Sequence, residues 1–190
     1  MHDLSLYVLE LIENSVRAGA TTVATTVVAD RAADRLTITV EDDGHGLKVT
    51  PDQALDPFYT TKEGKKTGLG LSLFRQDVEL AGGGLTVDRS PALGGVAVSA
   101  TMGLTHVDRP ALGDVVSTLQ VMVATNPGTT FTLDVADGGR RALVDGDDIN
   151  GRTAALQAVV QLLDGLDAAP TETPASGDTA TTPASTRSMA

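Results

Sequence analysis

The sequence predicts an α+β protein, a two-layer sandwich of helices on a sheet, and three observations carry that class. The chain opens on an amphipathic helix closed by a glycine. At about 100° per residue, Leu4, Val8, Leu11, Ile12 and Ser15 share one stripe, and Gly19 follows. Residues 35–41 alternate Leu36, Ile38 and Val40 with Thr37, Thr39 and Glu41, the pattern of a half-buried strand. The order helix, two strands, loop, helix, two strands is that of a sandwich and not of a repeating βαβ unit.

After the first helix, residues 22–29 are rich in Thr and Val and predict a strand, followed by a polar turn at 30–34 and the alternating strand. Residues 52–55 predict a short helical turn. Residues 56–70, with Pro57, Gly64, Gly68, Gly70 and three lysines, predict a loop. A helix over 71–81 ends at Gly82-Gly83-Gly84, and strands over 85–89 and 96–102 follow. From His106 the pattern changes to a helix over 111–124, a hairpin of strands 129–135 and 140–144, and a last helix over 148–166. The acidic pair Asp147-Asp148 is expected to cap that helix. Three units result: a domain at 1–103, an α-β-β-α extension at 104–167, and a tail at 168–190. The tail is too poor in bulky apolar residues to order itself.

Composition narrows the function. At 190 residues the chain can bury a real core, and no apolar run approaches the ~20 residues that span a bilayer. With no cysteine and no secretory leader pattern it is expected in the cytoplasm, without a membrane partner. A net charge of −11 argues against nucleic acid. Of the four lysines, Lys48, Lys62, Lys65 and Lys66, the last three lie within five residues of one another, a local cluster that leaves polyanion binding open at that one spot.

Several stretches carry chemistry. Glu10 and Asn14 stand one helical turn apart on a polar face, suited to a metal-bound phosphate or simply to solvent. In Asp42-Asp43-Gly44-His45-Gly46-Leu47 a strand end delivers Asp42 to a pocket, and the glycines let a flat ring approach the backbone. Such a carboxylate accepts from an exocyclic amine, as in adenine; the plain alternative is an acidic turn. A calcium loop is excluded by the glycine spacing and the missing Glu at the twelfth position. Asp56-Pro57-Phe58-Tyr59-Thr60-Thr61-Lys62 pairs an aromatic anchor with hydroxyls and a lysine. Gly68-Leu69-Gly70-Leu71 precedes a helix, where free N–H groups favour anions, yet it completes neither a Walker A loop nor a Rossmann fingerprint. His45 reads as a solvent-facing turn residue.

Taken in order, these stretches resemble the boxes of the GHKL superfamily, which has the Bergerat ATP-binding fold and includes histidine-kinase catalytic domains, MutL- and gyrase-type ATPases, Hsp90 and anti-sigma kinases. Glu10-x-x-x-Asn14 looks like the N box, Asp42-x-Gly44-x-Gly46 the G1 box, residues 56–62 the F box and residues 68–71 the G2 box. The resemblance covers residues 1–103 and implies a mixed, mostly antiparallel sheet. It implies Mg²⁺ on Asn14, the adenine amine on Asp42, and a lid over the triphosphate at 62–71. The ATP-contacting residues would then be Asn14, Asp42, Gly44, Gly46, Thr67, Gly68, Leu69, Gly70 and Leu71, with Glu10 as general base and Lys62 on the transferring phosphate.

The Glu10-to-Ser15 run is similar to MutL, whereas the F and G2 boxes look like histidine kinases. Only nine residues precede Glu10, too few for a phosphoacceptor hairpin, and no lysine follows Lys66. The expected activity is transfer of the γ-phosphate of Mg·ATP to a partner's Ser or Thr, or to water. The alternatives are a nucleotide switch with little turnover and a detached histidine-kinase domain acting in trans. The whole chain, through Asp108-Arg109-Pro110-Ala111-Leu112-Gly113-Asp114, also resembles stand-alone ATP-binding proteins of iron-only hydrogenase gene clusters, which implies a hydrogenase-related partner.

Overall fold

Asp3 caps the first helix, α1 (Leu4–Arg17): its carboxylate accepts from the Leu6 N–H at 3.1 Å and from Ser5 Oγ at 2.7 Å. The predicted stripe is the buried one, with Leu4, Val8 and Ile12 fully covered, while Glu10 and Asn14 lie exposed. Gly19 ends the helix at φ +74°, a conformation glycine adopts without strain. The computed structural model describes residues 3–47, 49–55 and 69–167. The lysines, the F box and the tail at 168–190 lie outside them.

Strands β1 (Thr22–Asp30) and β2 (Arg35–Asp42) form a hairpin, and β3 (Gly84–Arg89) and β4 (Val96–Gly103) form another. β5 (Thr130–Asp137) and β6 (Arg140–Asp145) form a third around Gly138. One mixed sheet results, in the order β3-β4-β2-β1-β5-β6, antiparallel throughout except where β5 lies parallel to β1. The α-β-β-α run after residue 104 thus extends the sheet of the preceding residues.

Alternation decides which residues face the helices. Val23, Thr25, Val27 and Ala29 of β1 are buried together with Leu36, Ile38 and Val40 of β2 and Phe131, Leu133 and Val135 of β5. Thr26, Thr39 and Ser99 meet in register on the other, partly open face. Carried one step further, the β2 alternation puts Asp42 on the helix-facing side, and it is buried.

The helices are α1, α2 (Pro51–Ala54), α3 (Leu69–Leu80), α4 (Val115–Thr125), α5 (Gly146–Asn150) and α6 (Ala154–Asp167). Three differ from the sequence expectation. α3 starts two residues early, taking Leu69 and Gly70 into its first turn. α4 starts at Val115, because residues 111–114 are engaged elsewhere: the Ala111 carbonyl accepts from Leu4 N at 2.8 Å and Asp114 is the N-cap. The last helix is two, because Gly151 closes α5 and Thr153 Oγ1 accepts from Leu156 N to start α6. The cap of α5 is Asp145, which accepts from the N–H groups of Asp147 and Asp148; the acidic pair is itself first-turn residues. Among the described residues no helix is long and apolar enough to cross a membrane.

α6 packs on β5 and β6, α3 on β3 and β4, and α1 lies between α3 and α4. Arg109 and Asp167 fasten the connection before α4 to the end of α6, the carboxylate also accepting from Leu112 N. At the far end of the sheet the buried Asp137 carboxylate takes Arg31 and Arg140 at 2.7 Å each, and these hydrogen bonds, the Arg31 one foremost, hold its pKa down.

Among the described residues, one buried side-chain group has no partner. Thr25 Oγ1 lies in the apolar row between Val40 and Leu133 with no hydrogen bond. Valine keeps the branched shape and removes the unsatisfied hydroxyl, so Thr25→Val is expected to stabilise the protein by about 1 kcal/mol. Thermal denaturation reads this as a midpoint a few degrees higher; an unchanged or lower midpoint refutes it.

Candidate nucleotide-binding site

Asp42 is the centre of the site. Ser15 Oγ donates to its Oδ2 at 2.6 Å, and the N–H groups of Gly44 and Val96 donate to Oδ1 at 3.0 and 3.1 Å. A carboxylate has about four acceptor positions. Three are filled, which fixes its orientation and leaves capacity for one further donor of the exocyclic-amine type. Helix α1, the G1 turn and the start of β4 therefore meet on one side chain.

The glycines around it have different reasons. A Cβ on Gly44 would sit 3.0 Å from both the Cβ and the carbonyl oxygen of Ala18, so crowding by the end of α1 demands the small residue. Gly46 has open space but a φ of +79°. Gly95 is the tightest: its N–H donates to the Asp42 carbonyl at 2.9 Å, and a Cβ there would overlap Asp42 Oδ1 and come within 2.5 Å of that carbonyl. The loop carrying Gly95 is braced by buried Ser90, whose Oγ donates to Glu41 and accepts from Leu93 N.

The neighbouring Asp43 has a different task. It accepts from the N–H groups of Thr21 and Thr22 at 2.7 and 2.9 Å and from the Thr21 hydroxyl, tying the start of β1 to the end of β2. Those bonds, the Thr21 hydroxyl first, hold its pKa below the usual carboxylate range. His45 is exposed, with its N–H on the Ala18 carbonyl and Nδ1 against the Gly46 oxygen, in keeping with a turn residue.

On the next turns of α1, Glu10 and Asn14 present their side chains outward, Asn14 beside the Ser15 that holds Asp42. A Cβ on Gly70 would overlap Glu10 Oε2 and lie 2.9 Å from its Cδ, so the carboxylate rests directly on the first turn of α3. Leu69 and Gly70 open that helix, and Leu71 is partly buried against the core. The structure thus brings Glu10, Asn14, Asp42, Gly44, Gly46 and Gly70 to neighbouring turns of backbone. Lys62, Thr67 and Gly68 lie outside the described residues.

Sequence reasoning missed Gly95, the Val96 N–H and the task of Ser15. Gly94-Gly95 reads only as a strand connection, and Ser15 only as the polar member of a buried stripe; the pairing of β2 with β4 brings them to Asp42.

Most of the chain, residues 2–139, matches the family model described as histidine kinase-, DNA gyrase B-, and HSP90-like ATPase. Over 77 residues the chain is 35% identical to nitrogen regulation protein NtrY of Azorhizobium caulinodans, which is 40% of this chain and 10% of that protein. It is similar to the ATP-binding domain of PrrB from Mycobacterium tuberculosis, at 29% identity over 52% of this chain and 64% of that one, with a TM-score of 0.40. The Aquifex aeolicus MutL ATPase domain complexed with ADP is 16% identical over 86% of this chain and 70% of that one, with a TM-score of 0.42. The family model spans both the buried aspartate and the glycines that crowd it, and the chain belongs to the histidine kinase-, DNA gyrase B- and HSP90-like ATPases, with an ATP-binding domain of the GHKL type.

Proposed function

We propose that the protein transfers the γ-phosphoryl group of Mg·ATP, with a hydroxyl of a partner protein or water as acceptor. The observation that carries this is the pairing of Glu10 and Asn14 one turn apart on the exposed face of α1, with the Glu10 carboxylate at the start of α3. Asp42 takes the adenine amine. Asn14 offers an amide oxygen of the kind Mg²⁺ accepts when phosphates and water complete its shell. Bound magnesium supplies neutralisation of the phosphate charge. Glu10 orients the attacking hydroxyl and takes its proton, and Lys62, with Thr67 and Gly68, belongs to the phosphate-covering segment.

A hydroxyl acceptor is preferred by analogy with anti-sigma kinases, and the likeness of residues 108–114 makes a hydrogenase-associated protein the first partner to try. ATP use and the absence of cysteine go with a cytoplasmic setting. A second reading, a nucleotide switch with little turnover, is favoured by one feature: residues 67–190 contain no lysine to approach the γ-phosphate.

Glu10→Gln is expected to bind a non-hydrolysable ATP analogue within a few-fold of the wild type while turnover falls about 100-fold or more. Phosphate release and transfer of labelled γ-phosphate to a partner check this, and acid-stable label on the partner marks Ser or Thr. Undiminished turnover in Glu10→Gln removes the base assignment, and a wild type that binds Mg·ATP without turnover selects the switch.

A further inference from the structure

We propose that Tyr7 is a positioning residue, which through its hydrogen bond to Asp77 holds α3 against α1 at the separation that seats the Glu10 carboxylate on Gly70. The inference rests on the reading of Glu10 as the base, and it concerns what sets the place of that base.

Three of the contacts between the two helices follow a regular order. Glu10 meets Gly70; one turn back on α1, Tyr7 stacks on Phe74, one turn onward on α3, with centroids 4.5 Å apart and planes 11° apart. One turn further along α3, Asp77 Oδ2 accepts from the Tyr7 hydroxyl at 2.6 Å. The helices therefore run antiparallel, with the ring contact setting their spacing below the site and the carboxylate closing it above.

The stack alone would be served by phenylalanine. The hydroxyl adds a charge-assisted bond to a carboxylate in the helix interface, and such a bond is short and directional. It ties the phenol to one rotational setting of α3, the helix whose first turn carries Gly70. Tyr7 is buried, and burial first, then the Asp77 bond and the charges of Asp77 and Glu10, raise its pKa. The phenol accordingly stays a donor at any physiological pH. Above it, the exposed Glu10 carboxylate lies where a Cβ on Gly70 would sit, so the glycine gives that side chain its place against the first turn of α3. A shift of about 1 Å in a catalytic group can cost ~100-fold in rate, so the setting of α3 matters for chemistry and not only for stability.

The test compares Tyr7→Phe, Asp77→Leu, their combination, and Asp77→Asn, which keeps an acceptor oxygen. One readout needs no turnover: the side-chain carboxyl ¹³C resonance of Glu10 in the nucleotide-free protein, assigned by its loss in Glu10→Gln. It is expected to move in Tyr7→Phe and in Asp77→Leu, and to stay near the wild-type position in Asp77→Asn. Turnover should fall about 10-fold in the first two, with analogue affinity held within a few-fold, and the double variant should be no worse than either single. A Glu10 resonance unmoved in both Tyr7→Phe and Asp77→Leu overturns the proposal, as does an equal loss of affinity and turnover. If the wild type has no turnover, phosphoryl transfer fails as a reading while the carboxyl resonance still decides the role of Tyr7.

Discussion

A chain ending at Gly103 is expected to lose cooperative folding altogether. Such a chain keeps all four sequence boxes, so local sequence would suggest a sufficient unit. Sheet order says otherwise. β1 lies between β2 and β5, and the cut strips it of its whole parallel partner from Thr130 to Asp137. With β5 go Phe131, Leu133 and Val135, each fully buried, and with α4 go Leu119 and Met122. At roughly 2 kcal/mol per large apolar side chain, these five alone equal the net stability of a typical small domain.

The site helix would suffer directly. The Leu4 N–H loses the Ala111 carbonyl at 2.8 Å, and the α1 cap loses the close cover of Gly113, where a Cβ would come 2.5 Å from Asp3 Cγ. Far-ultraviolet dichroism should show reduced helix and strand content, and thermal scans should show no sigmoidal transition. A truncated chain that melts cooperatively near the full-length midpoint would mean that residues 104–167 are dispensable to the site.

Much of the fold was legible because it is written in local periodicity. The stripe from Leu4 to Ser15 buries the side of α1 it marks, and the alternation of Leu36, Ile38 and Val40 continues to Asp42, which is why that carboxylate and not Asp43 enters the core face. The spacing of Glu10 to Asn14 likewise needs only the helical repeat. What escaped the sequence is non-local. Nothing near Gly95 says that its backbone will lie on Asp42, because the two are brought together by the β2–β4 pairing. The parallel docking of β5 on β1 is of the same kind, linking residues about a hundred apart. The errors at α4 and at α5–α6 have a related cause: capping by Asp114, Asp145 and Thr153 competes with apolar periodicity, and tertiary contacts of residues 111–114 decide the outcome.

Asp42→Asn is expected to weaken binding of an ATP analogue about 100-fold, near 3 kcal/mol, while the protein stays folded. The asymmetry of its partners explains both halves. Gly44 N and Val96 N can only donate, so the amide oxygen must turn to them. The NH₂ group then replaces Oδ2, and the Ser15 hydroxyl can rotate to accept from it, which keeps the interior satisfied. Where the carboxylate had spare acceptor capacity, however, the amide presents a hydrogen, and a donor facing the adenine amine repels it.

Gly95→Ala reaches the same oxygen by a different route. Its Cβ would meet not only Oδ1 but also the Asp42 carbonyl at 2.5 Å and Gly44 N at 2.7 Å, and backbone cannot swing aside. This variant should lose affinity at least as far as Asp42→Asn and also melt several degrees lower, since overpacking costs about 1–3 kcal/mol. Gly128→Ala, with nothing within 4 Å of the added methyl, serves as the neutral control. Calorimetric titration with the analogue separates the outcomes. Loss in both site variants places the adenine amine on Asp42. Loss in Gly95→Ala with full affinity in Asp42→Asn would leave the carboxylate as a brace for the turn and put the base against other atoms.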